Sequence, residues 1–294
     1  MSEYIISCDT MADLSEEQYK AKDIHYIYFH FELDGKDYYD DLGKSVPFDQ
    51  FYKAMQDGAD TKTSQISIGE YLEFFEQFLE QGKDVLMVTL STGLSATYNS
   101  AVCAARIASE RFPERKIRVV DSLSGSAAIG VLVDKAADMK AAGMDIDELA
   151  AWIEANRTKA QHWFFTSDLK YLIRGGRVSK AAGTVANVLG ICPVMAVDYE
   201  GRIVVDSKAR SKKKAIEKVV AMMEKHAENG YDYDGLCVIC QALCMDDARE
   251  LERRIREKFP KCRIAINYFG TGIGSHTGPG TLGAFFWGDN RDFK

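Results

Sequence analysis

The sequence has no apolar run approaching the roughly 20 residues needed to cross a bilayer, which excludes a membrane-spanning helix. It has no basic segment followed by a long apolar stretch at Met1 to Asp9, so no signal peptide is expected. Internal repeats and low-complexity tracts are absent, which excludes solenoids and linker-rich arrays. There is no Walker A sequence, and Gly270-Thr271-Gly272-Ile273-Gly274 does not fit G-x-G-x-x-G, which weakens a nucleotide-binding reading. Gly93-Leu94-Ser95-Ala96-Thr97 lacks the second glycine of a G-x-S-x-G elbow. Basic residues are fewer than acidic ones, 37 against 44, and the net charge of −7 disfavours general nucleic-acid binding. The seven cysteines are an odd number in a chain of 294 residues, long enough for two ordinary domains. They read as reduced thiols and point to the cytoplasm.

What is present is globular: 46% hydrophobic and 28% charged residues. Short apolar runs at Tyr4–Ser7, Ile24–Phe31, Val85–Leu90 and Ile117–Val120 read as strands. Helical patterns at Phe48–Met55, Tyr71–Gln81, Thr97–Arg111 and Ala127–Ala142 alternate with them. That order predicts an α/β fold whose N-terminal part is three-layered around a mostly parallel sheet. After a helix around Ile146–Thr158 the texture changes. Trp163–Thr166, Ile191–Val197 and Ile203–Val205 read as strands, the last two forming a hairpin across Asp198-Tyr199-Glu200-Gly201. Ser211 caps a helix running to about Asn229; Leu236–Cys240, a helix at Asp246–Lys258, Ile264–Phe269, a glycine-rich stretch and Leu282–Trp287 follow. This predicts a second α/β domain with a mixed or antiparallel sheet, dividing the chain into 1–160 and 161–294.

Three hydroxyl-rich loops are candidate sites: Thr61 to Gln65, Ser91 to Ser95, and Gly274 to Gly280 with His276. The second lies beyond the carboxyl end of a strand and before a helix, where α/β sheets bind ligands and free N–H groups favour anions. Hydroxyls plus a histidine suit a carboxylate, which only accepts hydrogen bonds. The plainer alternative is that Ser91, Thr92, Ser95, Thr63 and Ser64 are helix caps and turns. Cys237 and Cys240 lie three apart on a strand and point to opposite faces, so no metal site is expected with Cys244 and Cys262. Lys208, Arg210, Lys212, Lys213 and Lys214 crowd five charges into seven residues, and Arg174-Gly175-Gly176-Arg177 can add to the same face. On an acidic chain this suggests docking to an acidic partner, with nucleic acid as the second reading.

Taken together, the motifs resemble the DegV family. Ile6 to Leu14 is similar to its T-D-S-T-x-D-L, Lys62-Thr63-Ser64-Gln65 to K-T-S-Q-P, and Leu90 to Tyr98 to L-S-S-G-L-S-G-T-Y. Val120-Asp121-Ser122, Leu172 to Ser179 and Ser275 to Gly280 complete the set in order across the chain. Cys8, Thr10, Met11, Ile66 and Ala96 depart from the family pattern without removing these hydroxyls. The resemblance implies a non-enzymatic, two-domain carrier of a long-chain fatty acid such as palmitate, with no cofactor. It implies a carboxylate held by Thr63, Ser95 and His276, with backbone N–H groups of the Ser95 loop helping. Some members of the family present the fatty acid to an ATP-dependent kinase subunit, and Arg177, Arg210 and Lys214 match positions on the kinase-facing surface. Two rival readings remain: a hydrolase or acyltransferase with Ser95 activated by His276 and oriented by Asp9 or Asp121, and a nucleic-acid-associated protein using Lys208 to Lys214.

Overall fold

Apolar runs long enough to be covered on both faces belong in the middle of parallel sheets, and the computed structural model, which describes residues 3–178 and 191–291, places them there. The first half runs β1 (Tyr4–Asp9), α1 (Glu16–Ala21), β2 (Ile24–Ile27), β3 (His30–Leu33), β4 (Lys36–Tyr39), α2 (Phe48–Gln56), β5 (Thr61–Ser64) and α3 (Ile68–Leu79). It continues with β6 (Asp84–Thr89), α4 (Thr97–Arg111), β7 (Ile117–Asp121), α5 (Ala127–Ala141) and α6 (Ile146–Asn156). The second half runs β8 (Ala160–Phe165), α7 (Lys170–Arg174), β9 (Cys192–Val197), β10 (Ile203–Ala209), α8 (Lys212–His226) and β11 (Leu236–Gln241). It ends with α9 (Met245–Lys258), β12 (Arg263–Tyr268), α10 (Thr271–Thr277) and β13 (Leu282–Trp287).

Among the described residues three sheets form: a parallel one in the order β2-β1-β6-β7, a small antiparallel one, β4-β3-β5, and a mixed one, β10-β9-β8-β13-β11-β12. In the mixed sheet only β11 and β12 run parallel. Every residue of β1 and β6 is buried, with α3 and α4 and also α5 and α6 packed on the parallel sheet. Residues 127–134 of helix α5 are all buried because the helix is covered on two sides, touching β1 and β6 of the parallel sheet and β8, β11 and β13 of the mixed one. One continuous core therefore joins the two sheets through this helix.

The structure corrects several expected elements. Ile24–Phe31 is not one strand. β2 pairs with β1 and β3 with β4 and β5, so the run is cut where it changes sheets. Its β propensity is continuous, and only pairing decides the break. Thr61 to Ser64 is a strand rather than a loop, with Thr63 opposite Phe31. The glycine-rich stretch after β12 enters helix α10. The hairpin forms as expected: Val197 pairs with Ile203, and Gly201 turns the chain at φ 77°, a conformation glycine adopts without strain.

Candidate functional site

Pairing of β5 with β3 brings Thr63 to the inner side of the small sheet, and α10 brings His276 to meet it. Thr63 Oγ1 and His276 Nε2 are 2.8 Å apart. Ser95 follows β6 and lies just before α4, and its Oγ accepts a hydrogen bond from the N–H of Thr97 at 3.3 Å, a local turn at the entry to that helix. All three side chains, together with Arg177, line a single cavity. The two lone pairs of the Ser95 hydroxyl leave it able to donate its proton elsewhere.

The cavity walls come from both halves of the chain. Met11, Phe29 and Leu90 face Phe164, Phe269 and Phe285, and the space not filled by atoms, mouth included, is about 630 Å³. Deep in the wall, His162 is 2% exposed. Its Nε2 accepts from the N–H of Gly125 at 3.2 Å, and burial pushes its pKa well down, so it is a neutral ring. The lining is mostly apolar, and Thr63, His276 and Arg177 cluster within it through the Thr63–His276 bond and the Arg177–Gly175 bond.

Electrostatics at that cluster suit an anion. Burial, reinforced by the guanidinium groups of Arg177 and Arg174, pushes the pKa of His276 down to about 4. With the proton on Nε2 the ring donates to Thr63, and the threonine hydroxyl is then free to donate into the cavity. Nδ1 has no partner and lies against Gly175, where a Cβ would come within 2.2 Å of it. Arg177 is half-buried, its Nε donating to the carbonyl of Leu94 at 3.2 Å and its Nη1 to that of Gly175 at 2.5 Å. It remains a cation, because guanidinium does not deprotonate in proteins.

Three buried carboxylates, which composition did not single out for binding, support the site. Asp9 accepts from the N–H of Leu90 at 2.9 Å and of Met11 at 3.2 Å, and Asp13 accepts from the N–H of Gly270 at 2.8 Å. Asp40 accepts from the start of α10. Burial raises the pKa of Asp9 to about 7, that of Asp40 to about 6, and that of Asp13 well above the usual range. Asp9 and Asp13 lie in the N-terminal motif, which was the available signal. Nothing local marked Asp40, whose partner Thr271 is 231 positions away.

Other expectations fare differently. The amides of Leu94 and Ser95 are spent on the carbonyl of Ser91, each at 3.0 Å, so they do not point at a ligand as expected. Arg177, expected on a partner-facing surface, is half-buried: with its guanidinium tied to Leu94 and Gly175 it lines the cavity, and it also lines an outer groove with Gly93, Gly176 and Arg202. Arg210 and Lys214 are exposed, Lys214 pairing with Glu217 at 2.6 Å. The hydrolase arrangement is not assembled: among the described residues no hydrogen bond joins Ser95 to His276. Asp9 is occupied as above, and Asp121 accepts from Thr92 and from the N–H of Leu123. Among the described residues no group of three or more His, Cys, Asp or Glu is placed to hold a metal, and no helix is long and apolar enough to cross a membrane.

The family model described as "Uncharacterised protein, DegV family" matches residues 4–289. A DegV domain-containing protein of Clostridium perfringens is 35% identical over 292 residues, 99% of this chain and 100% of that one. Among solved structures, a DegV lipid-binding protein from Thermotoga maritima is 27% identical with a TM-score of 0.83, covering 99% of this chain and 100% of its own. The Streptococcus pneumoniae Fatty Acid Kinase (Fak) B3 protein, loaded with linoleic acid, is 26% identical with a TM-score of 0.84, covering 98% of this chain and 100% of its own.

Proposed function

Because the chain belongs to the DegV family, we propose that it buries one long-chain fatty acid between its two domains and presents the carboxylate to a separate kinase subunit. The observation that carries this is the cavity itself: a largely apolar chamber walled by both halves of the chain, with Thr63, Ser95, His276 and Arg177 in its lining. An acyl tail gains up to ~0.8 kcal/mol per buried methylene, so the chamber supplies most of the affinity. The Thr63 and Ser95 hydroxyls and the guanidinium give the carboxylate its hydrogen-bond donors and set which end of the molecule faces them, while the imidazole orients the Thr63 hydroxyl. The pneumococcal relative carries linoleic acid and is named for a fatty acid kinase, which supports both the ligand and the partner. In this reading the chain is a carrier without its own catalysis or cofactor, works in the cytoplasm, and divides near residue 160.

The test is direct. Protein purified from bacteria, extracted with organic solvent and weighed by mass spectrometry, should release about one equivalent of fatty acid. Thr63→Val and Ser95→Ala should each weaken oleate binding by ~1–3 kcal/mol, the loss expected for one partner of a buried carboxylate. An empty extract together with no uptake of added palmitate or oleate would overturn the proposal. Turnover of an ester substrate that is lost on Ser95→Ala would favour the hydrolase reading instead.

A further inference from the structure

Helix α10 carries His276 but has only seven residues, fewer than an isolated helix needs to hold itself. Its start is held by the opposite half of the chain. Asp40 Oδ1 accepts from the N–H of Thr271 at 3.2 Å and from its hydroxyl at 2.8 Å, while Oδ2 accepts from the N–H of Gly272 at 3.3 Å. Asp13 takes the preceding N–H, that of Gly270, with one oxygen, and the hydroxyl of Ser126 at 2.5 Å with the other. Asp40 is 1% exposed and Asp13 4%. No lysine, arginine or histidine bonds to either carboxylate among the described residues; N–H groups and hydroxyls satisfy them. A Cβ on Gly270 would come within 2.8 Å of Asp13 Oδ1, and one on Gly272 within 3.2 Å of Asp40 Oδ2, so the carboxylates occupy a notch left by the glycines.

Holding two consecutive N–H groups and one hydroxyl on a single carboxylate fixes the rotation of the helix as well as its height. His276 lies five residues further on, roughly one and a half turns at 3.6 residues per turn. A rotation at the start of so short a rod is passed directly to the imidazole, whose bond to Thr63 tolerates little movement: hydrogen bonds weaken steeply once distance and angle depart from their optimum.

Resting on the fatty-acid reading above, we propose that Asp40 is a positioning residue for the headgroup site, setting the rotation of α10 so that His276 stays hydrogen-bonded to Thr63. Asp40 touches neither the cavity nor His276, and acts only through the helix. Asp40→Asn keeps the shape but turns one acceptor into a donor facing an N–H or hydroxyl.

The experiment is a double-mutant cycle on the full chain, with oleate affinity measured by displacement of a fluorescent fatty acid. Asp40→Asn should weaken oleate binding roughly tenfold, the scale of one misplaced hydrogen-bond partner. In a His276→Ala background it should cause no further loss, because its effect passes through His276. The carbonyl-13C resonance of bound oleate should move in Asp40→Asn toward its position in His276→Ala. A purely architectural role predicts losses that add fully and an unmoved resonance, and either result overturns the inference, as does wild-type affinity in Asp40→Asn. Where Asp40→Asn does not fold, Thr271→Val, which removes only the hydroxyl donor, runs the same cycle with a smaller expected loss. Wild-type protein that takes up no oleate sinks the fatty-acid reading itself. Wild-type protein that binds, with weakened His276→Ala and unchanged Asp40→Asn, sinks this inference alone.

Discussion

Burial, with Arg177 and Arg174 nearby, keeps the imidazole of His276 neutral down to about pH 4, whereas a free histidine titrates near ~6.5. The sign of the consequence follows from which state takes up a proton first. As pH falls below ~6.5 the unfolded chain protonates this histidine and the folded one does not, so folding stability is lost between ~6.5 and ~4. The loss is at most about 3 kcal/mol for this group, since one pKa unit corresponds to about 1.4 kcal/mol. In lipid-free protein, urea unfolding of the wild type and His276→Gln should therefore differ by an amount that shifts in favour of the variant as pH drops from 7 to 4.5. A difference that is flat with pH would show that the ring is solvated and titrates normally. Ser95 illustrates that two readings of one residue can both hold. It accepts the Thr97 N–H at the entry to α4 and lines the cavity, and the first role does not consume its own proton.

Among the elements, the meeting of α7 with α10 shows why Arg174-Gly175-Gly176-Arg177 is a packing device as well as a run of charge. Gly175 has an ordinary φ of −71°, so its need is for space rather than for backbone freedom. Its missing side chain makes room for Nδ1 of His276. Gly175→Ala should push the ring away from Thr63 and weaken oleate binding about as much as His276→Ala, without requiring a strained backbone. Affinity equal to wild type, measured by the same displacement assay, would show that the ring has slack. Boundaries of elements follow the same division between local and distant causes. Helix α3 begins at Ile68 rather than Tyr71 because Ser67 and Glu70 form a capping box, at 3.2 and 2.9 Å, a signal present in the sequence as S-x-x-E. The end of β2 at Ile27 has no such local sign, and depends on which strands flank it.

Taken as a whole, the molecule carries a net charge of −7, yet Lys208, Arg210, Lys213 and Lys214 are all exposed near the junction of β10 and α8. Of these, Lys214 is partly neutralised by Glu217, and Arg210 forms no ion pair among the described residues. Arg210→Glu and Lys214→Glu should reduce acyl-phosphate formation with a fatty acid kinase subunit while leaving the bound lipid unchanged. Rising salt should weaken the wild-type coupling, because exposed charges are screened beyond ~8–10 Å. Arg177→Glu should behave differently and lower the lipid content as well, since this side chain lines the cavity. Full acyl-phosphate output from the Arg210 and Lys214 variants would mean that this face is only solvated.

The sequence by itself determined the alternation of strands and helices and the hairpin at Gly201, and the order of its motifs, through their resemblance to the DegV family, pointed to Thr63, Ser95 and His276 together. Periodicity, turn chemistry and motif order are carried by neighbouring residues and survive without coordinates. Only the tertiary structure decided that Thr63 lies on a strand, that α5 is shared between two sheets, that Arg177 reaches the cavity lining, and that Asp40 grips a helix 231 positions away. The physical reason is that burial and pairing are properties of contact. A polar run such as Thr61 to Ser64 becomes a strand because β3 offers it hydrogen bonds, and an aspartate becomes a clamp only where the fold brings N–H groups to it.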